Sequence, residues 1–301
     1  MLAPAPQLSN ILRKVKQVEL RALKALDSNQ IGQFRSVFRG QGMEFDQVRE
    51  YVPGDDVRHI DWNATARAGR PFVKVHIEER DLCVVLAMDV SPSSDFGTVG
   101  STKREQMAEI AAVLAFATLR GNDRVGLVLF TDEVELSIPP RKGRAQVLQI
   151  VRAVLSHEPR GTSTALQPAL EHLRSLTTRR AAVFLLSDFF TTEQPEQLAH
   201  ALRVASLQHE VVALRCTDPL EEALPDVGVV VFEDAETGEI VELDTSNSQT
   251  RARYEALAAE RSRQLADQLR GAGVDLLQVH TDRDYTPQLA AFFKNRRRTN
   301  R

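Results

Sequence analysis

The run Leu82-Cys-Val-Val-Leu-Ala-Met-Asp-Val-Ser-Pro-Ser93 decides the fold. It is apolar from Leu82 to Met88, then presents a carboxylate and two hydroxyls at every second position, Asp89, Ser91 and Ser93. An apolar run of this length with polar boundaries predicts a strand buried on both faces, as in a parallel sheet. Ligands of open α/β sheets bind in the crevice beyond the carboxyl ends of such strands. Three hard oxygen groups on one short loop suit a hard cation such as Mg²⁺, which prefers oxygen ligands and keeps several waters. The competing reading is local: Asp89 and the two serines cap the helix that follows.

Downstream the pattern alternates between strand and helix. Lys103 to Arg120 has helical apolar spacing and stops at Gly121-Asn122. Strands are expected at Arg124–Phe130, Val134–Ile138, Ala181–Leu186, Val211–Cys216 and Val274–Val279, with Pro139-Pro140 ending the second. Helices are expected at Ala145–Leu155, Leu166–Leu176, Leu198–Ser206, about 249–270, and Pro287–Phe293, followed by a basic tail, Lys294-Asn-Arg-Arg-Arg298, commonly a solvated end and only sometimes an anchor for acidic partners. This alternation predicts an α/β fold, a doubly wound, mostly parallel sheet with helices on both faces. Residues 218–245 interrupt it with ten acidic and no basic residues, and read as an inserted β-hairpin, Val227–Phe232 and Glu239–Leu243 around a Glu236-Thr-Gly238 turn. Its acidity reads as a solubilising face or as an attraction for a basic partner.

Upstream, Leu8, Ile11, Leu12, Val15, Val18, Ala22, Leu23 and Leu26 form the apolar stripe of an amphipathic helix with a basic opposite face. Such a face is either simply solvated or a contact for anionic membrane. Between residues 31 and 80 charges cluster around the only tryptophan: Arg49, Asp56, Arg58, Asp61 and Arg67 near Trp62. They read as Arg–carboxylate pairs packed against aromatics, a rigid platform, in preference to a catalytic group of Glu44, Asp55, Asp56 and Asp61. Phe72–Ile77 alternates as a strand. The division expected is 1–80, an N-terminal helix and small β region, and 81–301, the sheet domain.

Composition narrows the function classes. The chain has 301 residues, 43% apolar and 26% charged, with a net charge of −3, which makes no case for nucleic acid as a partner. No apolar run approaches the roughly 18 residues of a transmembrane helix. Cys83 and Cys216 both sit in strand-like runs and read as reduced, buried thiols of a cytoplasmic protein. Gly-x-Ser-x-Gly, P-loop and dinucleotide glycine motifs are all absent from the sequence.

Three loops converge on one end of the expected sheet: Asp89-x-Ser91-x-Ser93, Gly161-Thr162-Ser163-Thr164, and Asp188 after a third strand. The combination resembles the metal-ion-dependent adhesion site of von Willebrand factor A-type domains. The resemblance implies Ser91, Ser93 and Thr162 as hydroxyl ligands and Asp89 and Asp188 as carboxylates acting largely through water. It also implies one coordination position of Mg²⁺ or Mn²⁺ left open for a partner's acidic side chain. A second set of residues covers nearly the whole chain: Gly42-x-Glu44-Phe45, Arg49-x-Tyr51-x-x-Gly54-Asp55-Asp56-x-Arg58-x-Ile60-Asp61-Trp62, Ala66-Arg67, Glu79-Arg80, Phe96-Gly97, Gly121-Asn-Asp-Arg-Val-Gly126, Ser187-Asp-Phe189 and Asp218-Pro219. It resembles the bacterial "domain of unknown function 58" family, whose members fuse that signature to an A-type domain. The family resemblance implies association with MoxR-type AAA+ ATPases in systems that mature or remodel other proteins. The expected function is therefore a non-enzymatic, Mg²⁺-dependent recognition module with no catalytic residues. The alternative is a metal-dependent hydrolase or phosphoryl-transfer enzyme using Asp89. The aspartyl-phosphatase pattern needs a second aspartate two residues on, where Ser91 stands.

Overall fold

The computed structural model describes residues 5–27, 47–52, 60, 62–75, 82–191, 193–233 and 240–299. In chain order, α1 (Ala5–Asp27) precedes β1 (Gln47–Glu50), α2 (Trp62–Ala68) and β2 (Phe72–Val75). Then come β3 (Cys83–Asp89), α3 (Lys103–Arg120), β4 (Arg124–Phe130), β5 (Val134–Arg141) and α4 (Arg144–Ser156). They are followed by α5 (Gln167–Leu176), β6 (Ala182–Ser187), α6 (Pro195–Gln208), β7 (Glu210–Thr217) and the single turn α7 (Pro219–Glu222). The chain closes with β8 (Val229–Glu233), β9 (Ile240–Asp244), α8 (Ser248–Gly271), β10 (Asp275–His280) and α9 (Thr286–Thr299).

The expected run is β3, at the centre of a six-stranded sheet ordered β10-β7-β6-β3-β4-β5. Every pairing is parallel except β4 with β5, at the edge. Counted within this sheet alone, the order is 6-5-4-1-2-3, so β3 and β6 flank the point where the strand order reverses. Alternation along β3 sends Val84, Leu86 and Met88 into one apolar cluster and Cys83, Val85 and Ala87 into another. The first cluster includes residues of α1, α3, α4 and α9, and the second residues of α5, α6 and α8. This double coverage is why β3 reads as a continuous apolar run. Cys83 and Cys216 are buried on opposite faces of the sheet, and Cys216 Sγ donates to Gln106 Oε1 at 2.8 Å.

Several elements differ from the sequence reading. Strand β5 runs through Pro139 and Pro140 to Arg141, which an edge strand tolerates because proline's missing donor faces no further partner. Gly126 makes room for it: a Cβ there would stand 2.9 Å from both the Ile138 carbonyl oxygen and Pro140 Cγ. The basic tail is not a free end. Helix α9 continues to Thr299, and Arg296 pairs with Glu210 at 2.6 Å and Asp275 at 3.1 Å. The hairpin forms as β8–β9, with Val229, Val231 and Ile240 exposed, while its turn, Glu236-Thr-Gly238, lies outside the described residues.

The chain divides into two compact units, Met1–Phe38 with Leu82–Arg301, and Arg39–Asp81. Helix α1 thus belongs with the sheet and not with the signature region, because Ala22 and Leu26 are buried in the first apolar cluster. Within the smaller unit β1 and β2 are antiparallel, and Thr65 Oγ1 accepts from Phe72 N at 2.9 Å. Trp62 is 70% exposed, and the described ion pair of this unit, Arg70 with Glu50, is exposed on both sides; Asp56, Arg58 and Asp61, the charges expected to pack around the tryptophan, lie outside the described residues. The signature positions Gly42–Phe45, Gly54–Arg58, Asp61, Glu79 and Arg80 lie outside the described residues, as do His76 and Ile77 of the expected Phe72–Ile77 strand.

Candidate functional site

The parity that buries Val85 and Ala87 carries Asp89 to the same face of β3, at its carboxyl end. On β6 the same parity follows Val183 and Leu185 with Ser187. The two side chains meet: Ser187 Oγ donates to Asp89 Oδ2 at 2.7 Å. Asp89 Oδ1 accepts from Ser91 N at 2.9 Å, which folds the loop back over the strand end. Ser91 Oγ and Ser93 Oγ are then 3.1 Å apart, and Ser94 Oγ donates to the Ser91 carbonyl at 2.7 Å. Asp89, Ser91 and Ser94 are fully buried.

These residues do not cap a helix. Ser91 precedes the short turn Pro92–Asp95 but makes no side-chain capping bond, and helix α3 is capped instead by Thr102, in a reciprocal box with Glu105. The oxygen groups are therefore free for another task.

Asp188 follows Ser187 directly. Its Oδ1 accepts from Phe190 N at 3.0 Å and its Oδ2 from the Lys103 ammonium at 2.6 Å. The turn is held in an unusual conformation: Phe189 has φ of 62°, the left-handed region that bulky residues rarely enter, and its N–H bonds Ser187 Oγ at 2.9 Å. Lys103 also donates to Glu221 Oε1 at 2.5 Å, and lies 5.8 and 5.4 Å from the ring centres of Phe96 and Phe190. Burial pulls the lysine's pKa down, but Asp188 and Glu221 outweigh it and the net shift is upward, so Lys103 is a fixed cation.

Asp89 has no such partner. It accepts from neutral groups, and its pKa is pushed up to about 7, by burial first and by the neighbouring Asp188 carboxylate second. The two carboxylates repel each other, and Lys103 is bonded only to the second of them.

The third loop is docked by Glu135. Its Oε1 accepts from Arg160 N at 2.8 Å, Gly161 N at 2.9 Å and Thr131 Oγ1 at 2.9 Å, and its Oε2 meets His157 Nε2 at 2.6 Å. Gly161 is required by this docking, because a Cβ would fall 2.1 Å from Thr131 Oγ1 and 2.2 Å from Asp132 Oδ1. The loop leaves Thr162 exposed and buries Thr164, whose carbonyl accepts from Thr191 Oγ1 at 2.9 Å.

The structure therefore brings Asp89, Ser91 and Ser93 together and sets Asp188 beside them, while Thr162 stays at the surface and Thr164 is the buried hydroxyl of that loop. Ser187 and Lys103, which bond Asp89 and Asp188, and Glu221, which bonds Lys103, are not among the residues expected from sequence. One signal for Lys103 was present, since a lysine at the first position of a helix opposes the helix dipole. The donor set fits a hard divalent cation: two hydroxyls, an uncompensated carboxylate and a second carboxylate are all hard oxygen groups. Among the described residues no group of three His, Cys, Asp or Glu gathers as a metal site, so any such ion depends on the hydroxyls.

Comparison with known proteins bears on these residues. The family model described as "Protein of unknown function DUF58" matches residues 47–264, which include all five expected site residues. The chain belongs to this family. Uncharacterized proteins of Mycobacterium tuberculosis and Mycobacterium bovis are each 35% identical to this DUF58 chain over 295 residues, 97% of it and 91% of the relative. Matched solved structures include an aerotolerance-related membrane protein from Bacteroides fragilis, 17% identical with a TM-score of 0.48, covering 72% of this chain and 99% of that one. Another is a von Willebrand factor type A protein from Catenulispora acidiphila, 14% identical with a TM-score of 0.43, covering 76% of this chain and 43% of that one. These structural likenesses are weak, and the fold described for this DUF58 protein rests on its own strand order. Among its described residues no helix is long and apolar enough to cross a membrane.

Proposed function

We propose that this DUF58 protein is a non-enzymatic recognition module of the cytoplasm, which binds an acidic side chain of a protein partner through a divalent cation at the carboxyl ends of β3 and β6. The observation that carries the reading is Asp89, a buried carboxylate at the reversal point of the sheet, bonded only to neutral donors and facing a second carboxylate. Ser91, Ser93 and Asp89 would hold Mg²⁺ or Mn²⁺, with Asp188 and Thr162 completing the set. Bound there, the ion supplies an electrophilic position to which a carboxylate from outside can bind. The residues themselves do the positioning: Ser187 orients Asp89, Glu135 docks the third loop, and Lys103 holds Asp188. The family resemblance leads us to propose a MoxR-type AAA+ ATPase as the partner, with this chain as its adaptor toward client proteins.

Calorimetric titration of Mg²⁺ and Mn²⁺ into wild type, Asp89→Ala and Ser91→Ala tests the site. Binding by wild type that is lost in both variants is expected; no binding by wild type at millimolar ion overturns the reading. A pull-down of the ATPase that is insensitive to chelator overturns metal-mediated docking. The raised pKa of Asp89 is the one observation that favours the alternative, a metal-dependent hydrolase. Phosphatase or nuclease turnover abolished by Asp89→Ala would decide for it.

A further inference from the structure

Lys103 is the feature of this cluster that the recognition reading leaves unexplained. It stands at the first position of α3, where the helix dipole opposes a positive charge. Its side chain is 1% exposed, and a buried ammonium is tolerated only when it is paired and hydrogen-bonded. Two of its three donors go to Asp188 Oδ2 and Glu221 Oε1, and the faces of Phe96 and Phe190 lie near it. The pairing is long-range on both sides, 85 and 118 residues away in sequence, so it is built by the tertiary fold.

We propose that Lys103 is an internal counter-cation of the site, which occupies Asp188 and so sets the affinity for a divalent ion. The inference rests on the recognition reading above. With Oδ2 of Asp188 bonded to the ammonium and Oδ1 to Phe190 N, the second carboxylate is already engaged and largely neutralised. The ion must then be held mainly by Asp89 and the hydroxyls of Ser91 and Ser93. A fixed positive charge bonded to Asp188 would also repel a divalent cation at the neighbouring Asp89, and buried charges are poorly screened. Glu221 belongs to the turn that opens the acidic hairpin segment, so the lysine also fastens that segment to the site.

The test is Mn²⁺ calorimetry on the full chain in wild type and Lys103→Met, with circular dichroism to confirm folding. Lys103→Met removes the charge while keeping much of the side chain's bulk, and is expected to bind Mn²⁺ more tightly by about tenfold or more, as loss of one nearby like charge predicts. A purely structural lysine would give the opposite sign, because disordering Asp188 and Glu221 can only weaken binding. Lys103→Gln, which removes the charge but keeps an N–H donor facing the carboxylates, reads the same charge effect if the methionine variant fails to fold. Lys103→Arg keeps the charge and is expected to stay near wild-type affinity. Equal or weaker binding by the folded neutral variants, with wild-type binding intact and dependent on Asp89, overturns the role of Lys103 alone. Absence of binding in wild type and in every variant overturns the recognition reading with it.

Discussion

Replacing Glu135 with glutamine is the perturbation whose size the structure fixes best. The carboxylate is buried under the third loop and accepts from Arg160 N, Gly161 N and Thr131 Oγ1 while meeting His157. Burial alone would raise its pKa, but these bonds outweigh it and hold the carboxyl down at about 2, against an ordinary 4.5. A drop of that size corresponds to about 3 kcal/mol at roughly 1.4 kcal/mol per pH unit. Charge-assisted hydrogen bonds at about 1.5–3 kcal/mol each, partly kept by a neutral amide, lead to the same range. For a carboxyl lowered in the fold, the stabilisation is complete above the unfolded value and is lost as pH falls through the folded one. Urea unfolding of wild type and Glu135→Gln should therefore differ by about 3 kcal/mol at pH 7, and by roughly half of that at pH 3. A gap under about 0.5 kcal/mol at pH 7, or one that does not change with pH, would refute the claim that this carboxylate docks the loop.

Asp89 should behave in the opposite sense. Its carboxyl is raised from 3.8 to about 7, so the folded state is favoured while it is protonated and loses that stability as pH rises toward and past 7. In chelator at pH 8, Asp89→Asn is expected to be more stable than wild type by about 2–4 kcal/mol in urea, with the gap closing near pH 4; a destabilised variant at pH 8 would contradict it. Thr162→Val should lower Mn²⁺ affinity about tenfold or more by calorimetry; unchanged affinity there, with the loss appearing in Thr164→Val, would move the ligand to the buried threonine of the loop. Gly161→Ala should cost about 1–3 kcal/mol and weaken ion binding, because its Cβ meets Thr131 and Asp132 at 2.1 and 2.2 Å; wild-type stability would show that the loop yields easily.

What could be read from sequence follows from how local each feature is. Strand β3 announced itself because burial on both faces writes a continuous apolar run, and Asp89 continues the parity of that run. Asp89, Ser91 and Ser93 were legible because five residues hold the whole loop. Burial within Gly161-Thr162-Ser163-Thr164 was not legible, because a loop carries no period to say which hydroxyl turns inward. Ser187 was visible as a residue but not as a partner, since its bond to Asp89 joins positions 98 apart. The ends of elements misled for chemical reasons: prolines stop central strands but not an edge strand, and arginines read as a solvated tail until Glu210 and Asp275 are seen beside Arg296.

Three features that break local rules stand at the carboxyl ends of β3 and β6. A carboxylate is buried without a cation, a lysine is buried at the wrong end of a helix, and a phenylalanine sits in the left-handed region. Elsewhere β3 obeys every rule for a central strand, with apolar side chains fully buried on both faces. A rigid, doubly covered strand can carry such a concentration of unfavourable terms, because the core on each side leaves Asp89 and Asp188 little room to relax apart. The same rigidity gives the arrangement a use. Asp89 is costly to ionise in this fold, so a divalent ion binding there would relieve a penalty that is already present. On the proposed role of Lys103 that gain would be limited, and an ion held loosely by two hydroxyls and one carboxylate would keep more of its charge for an acidic group from outside.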